Sequence, residues 1–349
     1  MAQTNTKNRK LVLAERPRGE PTRDTLKLVE SEVPKPGNNE ILLRTEYLSL
    51  DPYMRGRMSD APSYAAPVEI GDVMAGGTVA QVVASHVDGF EVGDYVLSGN
   101  GWQDFALSDG QGISKLDQKP KHLSWALGIL GMPGFTAWAG LTQIGQPQAG
   151  ETVVVAAATG PVGATVGQIG KLMGCRVVGV AGGPDKCAYG VDELGFDACI
   201  DHKAPDFEKK LGQALPGGID VYFENVGGKV LDAVVPLLNT NARVPVCGLV
   251  SQYNETELPE GPDRMNWLMG QILRKKIRVQ GFIIFDSFGH LYPEFAKQMA
   301  EWVEGGKIKY REEIIEGLEN APEAFIGLLK GDNFGKRVIH VGSNREDGT

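Results

Sequence analysis

The sequence predicts an α/β protein, a doubly wound parallel sheet joined to a β-rich domain of the bent-barrel kind. Three observations predict it. Residues 151–181 read as strand, glycine turn, helix and strand. Apolar strands alternate with helices from there to residue 284. Before it, residues 10–108 break into short strand-like runs separated by turn signals.

The first observation organises the rest. Thr152-Val153-Val154-Val155-Ala156-Ala157 is a β-branched run of the kind buried on both faces of a sheet. Ala158, Gly160 and Gly163 follow as A-x-G-x-x-G. Residues 164–173 then have helical spacing, with Val166, Ile169 and Leu172 or Met173 on one side, and 176–180 is a second apolar strand. This βαβ setting turns a weak glycine pattern into a dinucleotide (Rossmann) fingerprint. Small residues let the backbone approach a pyrophosphate, and the helix N-terminus offers it unpaired N–H groups. Gly160, Pro161, Val162 and Gly163 are therefore candidate cofactor contacts. The bland alternative is a tight turn that binds nothing. A G-x-x-x-x-G-K-[ST] phosphate loop is excluded, because Gly170-Lys171 is followed by Leu172.

The chain before the fingerprint is punctuated by Pro34-Lys35-Pro36-Gly37, Asp88-Gly89 and Asn100-Gly101. Strands are expected at 10–14, 26–32, 40–49, 77–85, 95–98 and 101–108. An apolar helical piece is expected at 123–130, stopped by the Pro133-Gly134 break, and the remainder of 131–141 is expected to start another helix. After the fingerprint, helices are expected at 186–194, 207–214, 230–238, 267–273 and 292–304. Strands are expected at 199–200, 219–223, 242–247 and 277–284. The tail reads as strand, helix and strand at 309–315, 322–330 and 336–341, and 343–349 as a frayed end. The domains are then 1–130 with 311–349 for the β-rich part and 131–310 for the nucleotide part.

Composition sets limits. A chain of 349 residues holds about two domains. A net charge of −9 argues against nucleic acid or an anionic membrane as partner. No run of about 18 apolar residues exists to span a bilayer. The first ten residues are polar and basic, without the apolar core of a signal peptide, so a cytoplasmic location is expected. Cys175, Cys187, Cys199 and Cys247 form no C-x-x-C pair and read as reduced structural thiols.

Several segments, in order along the chain, carry a resemblance. They are Ser49-Leu50-Asp51-Pro52-Tyr53-Met54-Arg55-Gly56-Arg57-Met58, Gly131-Met132-Pro133-Gly134, the fingerprint, Phe223-Glu224-Asn225-Val226-Gly227-Gly228, Cys247-Gly248 with Tyr253-Asn254, Gln280-Gly281-Phe282 and Asn333-Phe334-Gly335-Lys336. The whole chain resembles the medium-chain dehydrogenase/reductase superfamily. Within it, the chain resembles the zinc-free, NADPH-dependent alkenal, prostaglandin and curcumin reductases. The resemblance implies a chaperonin-10-like catalytic domain, a Rossmann domain and a homodimer.

Zinc members of that superfamily take a Cys and a Gly-His-Glu histidine from the N-terminal domain. Here no cysteine precedes Cys175, and the matching stretch reads Ile70-Gly71-Asp72-Val73-Met74-Ala75-Gly76-Gly77. No metal ligand set is expected. For the cofactor, an NAD site would end its second strand in Asp or Glu. This strand ends Val180-Ala181-Gly182-Gly183-Pro184, and Lys186 lies just beyond. A missing carboxylate and a nearby ammonium favour the 2′-phosphate of NADPH. The alternative for Lys186 is a solvated helix lysine. The family places a tyrosine after an Ile-Asp pair for this phosphate, whereas this chain has Ile200-Asp201-His202. His202 is expected either to donate to the phosphate when protonated or to be an ordinary loop histidine.

The resemblance also assigns Asn225, Cys247, Gly248, Ser251, Phe282 and Asn333 to the cofactor. The alternative for Asn225 and Asn333 is turn formation. Tyr253 is expected to donate to the substrate's carbonyl oxygen, since a phenol with a pKa of about 10 stays protonated at neutral pH. Tyr53 and Tyr64 are expected as walls for a flat, apolar substrate. The alternatives are core packing for Tyr53 and a surface loop for Tyr64. Arg55 and Arg57 read as structural. The expected reaction is NADPH-dependent reduction of an α,β-unsaturated carbonyl, an enal or enone up to the size of curcumin. A zinc-free quinone reductase and a non-catalytic NADPH-binding protein are the rival readings.

Overall fold

A computed structural model describes residues 7–116, 122–257 and 262–342. The expected frayed tail, 343–349, lies outside the described residues. The chain forms two compact units, Met1–Leu127 with Glu312–Thr349, and Gly128–Arg311.

In the first unit β1 (Lys7–Leu13) and β2 (Leu26–Glu32) form an antiparallel hairpin. β3 (Ile41–Ser49), β4 (Thr78–Ser85), β5 (Tyr95–Ser98), β6 (Phe105–Ser108) and β7 (Ser114–Lys115) build an antiparallel sheet. Register shifts at Leu42/Leu43 and Thr45/Tyr47 bend the β3–β4 pair. The short helix α1 (Met54–Arg57) follows β3 and buries Met54 and Arg55. The stretch before Phe105, read as strand from the sequence, makes only a single bridge, Lys10 to Gln103.

The second unit opens with α2 (Met132–Ala139) and a π-turn at Gly140–Gly145. The helical piece at Leu123–Leu127 ends before this point and a new helix opens at Met132, so Pro133-Gly134 lies in the first turn of the second helix, as the sequence reading of two helices has it. Proline is tolerated in a first turn, where its missing N–H has no partner to lose. A Cβ on Gly134 would lie 1.9 Å from the carbonyl oxygen of Ile129, so the glycine permits a close backbone approach.

Then come β8 (Thr152–Ala156), α3 (Pro161–Leu172), β9 (Arg176–Ala181), α4 (Pro184–Asp192), β10 (Ala198–Asp201) and α5 (Phe207–Ala214). They are followed by β11 (Ile219–Phe223), α6 (Gly228–Val234), β12 (Leu238–Val246), α7 (Met265–Lys275), β13 (Arg278–Gly281), α8 (Ile284–Phe288) and α9 (Tyr292–Glu304). The six strands are parallel in the order β10-β9-β8-β11-β12-β13. The order reverses between β8 and β11, which sets a ligand crevice at their carboxyl ends. The run 277–284, read as one strand, splits after Gly281 into β13 and α8.

The chain returns to the first unit with β14 (Glu312–Glu316), α10 (Ala321–Leu329) and β15 (Lys336–His340). β15 pairs with β14 on one side and β3 on the other. Trp102, Leu48, Leu50, Met54, Phe325 and Ile339 share a buried cluster there.

Candidate active site

Ala157, just past β8, has φ of +51°, and the chain turns there into α3 with Gly160 as the N-cap. A Cβ on Gly163 would lie 2.2 Å from the Ala157 carbonyl oxygen, so only glycine fits beneath this turn. Gly167 meets the Phe196 ring in the same way, which lets α3 pack close to the sheet. Val166 and Ile169 are buried as expected, while Leu172 is exposed. Pro161 and Val162 occupy the first turn of α3, where backbone N–H groups are unpaired.

The other turns at the carboxyl ends of the strands are tied to this one. Asn225 Nδ2 donates to Ala156 O at 2.8 Å. Val250 N donates to Asn225 O, and Ser251 donates twice to Val226 O, from its N at 3.0 Å and its Oγ at 2.6 Å. Cys247 N and Gly248 N both donate to Glu224 O. Burial pushes the Cys247 thiol up to about 12. Tyr253 caps the single turn Val250–Gln252, and a Cβ on Gly248 would sit 3.2 Å from its hydroxyl. Glycine at 248 thus leaves room for the phenol. Phe282 is buried, with its ring against Phe223 and Phe288, so only its main chain remains to meet a ligand.

A second group of side chains gathers at the ends of β9 and β10. Asp201 Oδ1 accepts from Gly183 N and Lys203 N, which fixes the loop after each strand. A Cβ on Gly182 would meet His202 Nε2 at 3.0 Å and Lys203 Cε at 3.1 Å, so both side chains lie over that glycine. Burial lowers the pKa of the His202 imidazole. Asp201 opposes this, and Lys203, Lys229 and Lys186 add to it. Lys203 and Lys229 were not among the residues expected from the sequence. Lys203 directly follows His202 and Lys229 lies in the first turn of α6, and no spacing pattern connects them to Lys186.

In the first unit, the Arg57 guanidinium lies 5.9 Å from the Tyr53 ring and 5.6 Å from the Tyr64 ring. Arg57 thereby joins the two tyrosines expected as substrate walls. Tyr53 is largely buried, and burial raises its hydroxyl well above the ordinary tyrosine value. Tyr64 is exposed. Arg55 donates to the Pro17 and Gly19 carbonyls, a structural role. Asn333 Nδ2 donates to Gly335 O at 2.9 Å, closing the turn before β15.

Among the described residues, no group of three or more His, Cys, Asp or Glu side chains is arranged to hold a metal ion. In the first unit His86 Nδ1 contacts Gly37 O, and His122 stacks on Trp125. These donors do not fit a zinc site. No helix among the described residues is long and apolar enough to cross a membrane.

A six-stranded sheet in this order, with a glycine turn at its switch point, defines a dinucleotide-binding domain. Comparison with known proteins agrees. Residues 9–116 match the family model described as the N-terminal domain of oxidoreductase, and 161–304 the one described as zinc-binding dehydrogenase. The chain is 62% identical over 341 residues to the NADPH-dependent curcumin reductase of Escherichia coli, covering 98% of this chain and 99% of that protein. It is 41% identical over 316 residues to the NADP(+)-dependent 2-alkenal reductase of Nicotiana tabacum, 90% of each chain. The crystal structure of CurA from Vibrio vulnificus in complex with NADPH superposes with a TM-score of 0.93 at 62% identity, covering 95% of this chain and 99% of that one. The chain belongs to the medium-chain dehydrogenase/reductase superfamily, in its zinc-free branch of NADPH-dependent alkenal, prostaglandin and curcumin reductases.

Proposed function

We propose that this protein reduces the C=C bond of α,β-unsaturated carbonyl compounds with NADPH. The end-to-end likeness to the curcumin reductase carries the reading. When bound, NADPH supplies the hydride that reaches the β-carbon of the substrate. The Gly160–Gly163 turn holds the pyrophosphate, and Asn225, Cys247, Gly248, Ser251, the Phe282 main chain and Asn333 complete the cofactor contacts. Tyr253 donates to the carbonyl oxygen, where charge develops as the β-carbon is reduced. The α-carbon takes its proton from solvent or a relay. Tyr53 and Tyr64 offer flat apolar surface to the substrate, which suits aryl enones such as curcumin and admits short alkenals. NADPH consumption with an aryl enone, an alkenal and a quinone tests the reading. Turnover confined to the quinone would overturn it.

Lys186, Lys203 and His202 form the 2′-phosphate site in this reading. Lys203→Ala should raise the KM for NADPH about tenfold and leave that for NADH unchanged, the loss of one charge-assisted hydrogen bond. An equal change with both cofactors would remove Lys203 from the site. His202 starts neutral at neutral pH, because its pKa is lowered. A phosphate dianion beside it favours the protonated form, so binding takes up a proton. The KM for NADPH should therefore rise from about pH 6 to about pH 8. A flat profile would exclude the pairing.

The homodimer and the cytoplasmic location belong to the same reading. β13 ends the sheet, and all four of its residues are exposed. Met265, Met269 and Leu273, spaced by four along α7, are also exposed, Leu273 at 79%. An open edge beside an apolar stripe suits a second copy of this chain. Sedimentation as a monomer at micromolar concentration would speak against it. The four cysteines are free thiols, as a reducing compartment keeps them. Recovery of the native protein from an extracytoplasmic fraction would contradict that location.

A further inference from the structure

Glu224 follows β11 at the switch point and is 1% exposed. Its Oε1 accepts from Val226 N at 2.6 Å and Gly227 N at 2.9 Å. Its main-chain oxygen takes the N–H groups of Cys247 and Gly248. One residue therefore holds two of the turns assigned to the cofactor, the first by its side chain and the second by its backbone. Oε2 is different. It is buried and makes no aligned hydrogen bond, and the same holds for the hydroxyl of Tyr222. Alternation along the strand puts Tyr222 and Glu224 on one face, and the two groups are close enough to act on each other's titration.

The groups that act on this carboxyl are Tyr222 and the backbone N–H groups of Asn225, Val226 and Gly227, with the Cys247 thiol alongside. None is a cation. A buried carboxylate without a cation is far more costly than the neutral acid. Burial accordingly raises the Glu224 pKa above the ordinary carboxylate value, against the opposing pull of the N–H groups of Val226, Gly227 and Asn225 and of Tyr222.

We infer that Glu224 is a positioning residue, a neutral carboxylic acid whose Oε2–H donates to the Tyr222 oxygen while Oε1 fixes the turn 225–228. That hydrogen bond partners both buried oxygens. It also locks the carboxyl plane, so that Oε1 stays aimed at Val226 N and Gly227 N. Asn225, inside that turn, is then held for its donation to Ala156 O and for the cofactor. The inference rests on the NADPH reading above.

Glu224→Gln reproduces the neutral acid, with an oxygen at one position and an N–H donor at the other. It should keep the KM for NADPH and kcat within about twofold of the parent, while Glu224→Ala raises the KM for NADPH about tenfold and leaves the enone KM unchanged. Tyr222→Phe should fall between them. A Gln variant as impaired as the Ala variant would overturn the neutral acid, and an Ala variant with the parent's KM for NADPH would overturn the positioning role. A difference infrared spectrum decides the protonation state even where Glu224→Ala does not fold. The carbonyl band of a buried carboxylic acid should be present in the parent and absent in Glu224→Gln, and its absence from the parent would refute the proposal. Failure of the parent itself to bind NADPH would instead sink the functional reading, so the two failures are distinct.

Discussion

Replacing Tyr253 with phenylalanine should lower kcat about 10²-fold or more while leaving the KM for NADPH near that of the parent. The hydroxyl is the atom of Tyr253 nearest Gly248, where a Cβ would sit 3.2 Å from it, and phenylalanine keeps the rest of the side chain. The one atom lost is the hydroxyl. As the β-carbon is reduced, negative charge moves to the carbonyl oxygen. A donor aimed there is worth more in the transition state than in the ground state, so its removal falls on kcat. Steady-state kinetics with an aryl enone separates the two constants. An unchanged kcat would take the role away from Tyr253, and a loss confined to the NADPH KM would make it a cofactor residue.

Asp51→Ala should destabilise the first unit by about 3–5 kcal/mol, because it strands a buried ammonium. Lys336 is 1% exposed. Its Nζ donates to Ser49 Oγ at 2.7 Å, Leu50 O at 2.7 Å and Asp51 Oδ1 at 2.8 Å, so all three N–H bonds are used. Ser49 Oγ also donates to Asp51 Oδ2. Without Asp51, two neutral oxygens face a full positive charge that water cannot reach. Lys336→Met strands the carboxylate instead. The double variant Asp51→Leu with Lys336→Met removes both charges and should recover most of the loss. Urea unfolding of the three variants measures this. A loss below about 1 kcal/mol for Asp51→Ala would show that the cluster behaves like an exposed pair.

Much of the fold could be read from residue patterns. Ile219–Phe223, Phe207–Ala214 and Tyr292–Glu304 fall where the apolar pattern puts them, because the strand is buried on both faces and each helix on one. The run Ile277-Arg278-Val279-Gln280-Gly281-Phe282-Ile283-Ile284 misled, since β-branched residues suit a strand and an apolar turn alike. Gly281 ends the strand there, and Asp286 falls in the first turn of the helix that follows. At the candidate site, residues in one local motif were legible as turns of the chain, as with Gly160 and Gly163 or Cys247 and Gly248, and their contacts to the cofactor belong to the proposal. Residues assembled by tertiary structure were not. Lys229 comes near His202 only once β10 and α6 are in place, and the approach of His202 and Lys203 to Gly182 likewise needs the fold. Glu224 stood within a quoted motif, but its burial and the orphaned oxygen beside Tyr222 are properties of packing.

The position of β15 has a consequence for synthesis. This strand, which is made after the whole nucleotide unit, lies inside its sheet between β14 and β3 rather than at the rim. The nucleotide unit is one continuous segment, 128–311, and can finish while translation proceeds. The strands before residue 128 emerge earlier yet wait, with the flank of β3 open until residues 336–340 arrive. A nascent chain stalled shortly before Lys336 would therefore carry a finished dinucleotide fold and an unfinished partner, the stage at which chaperone engagement matters most.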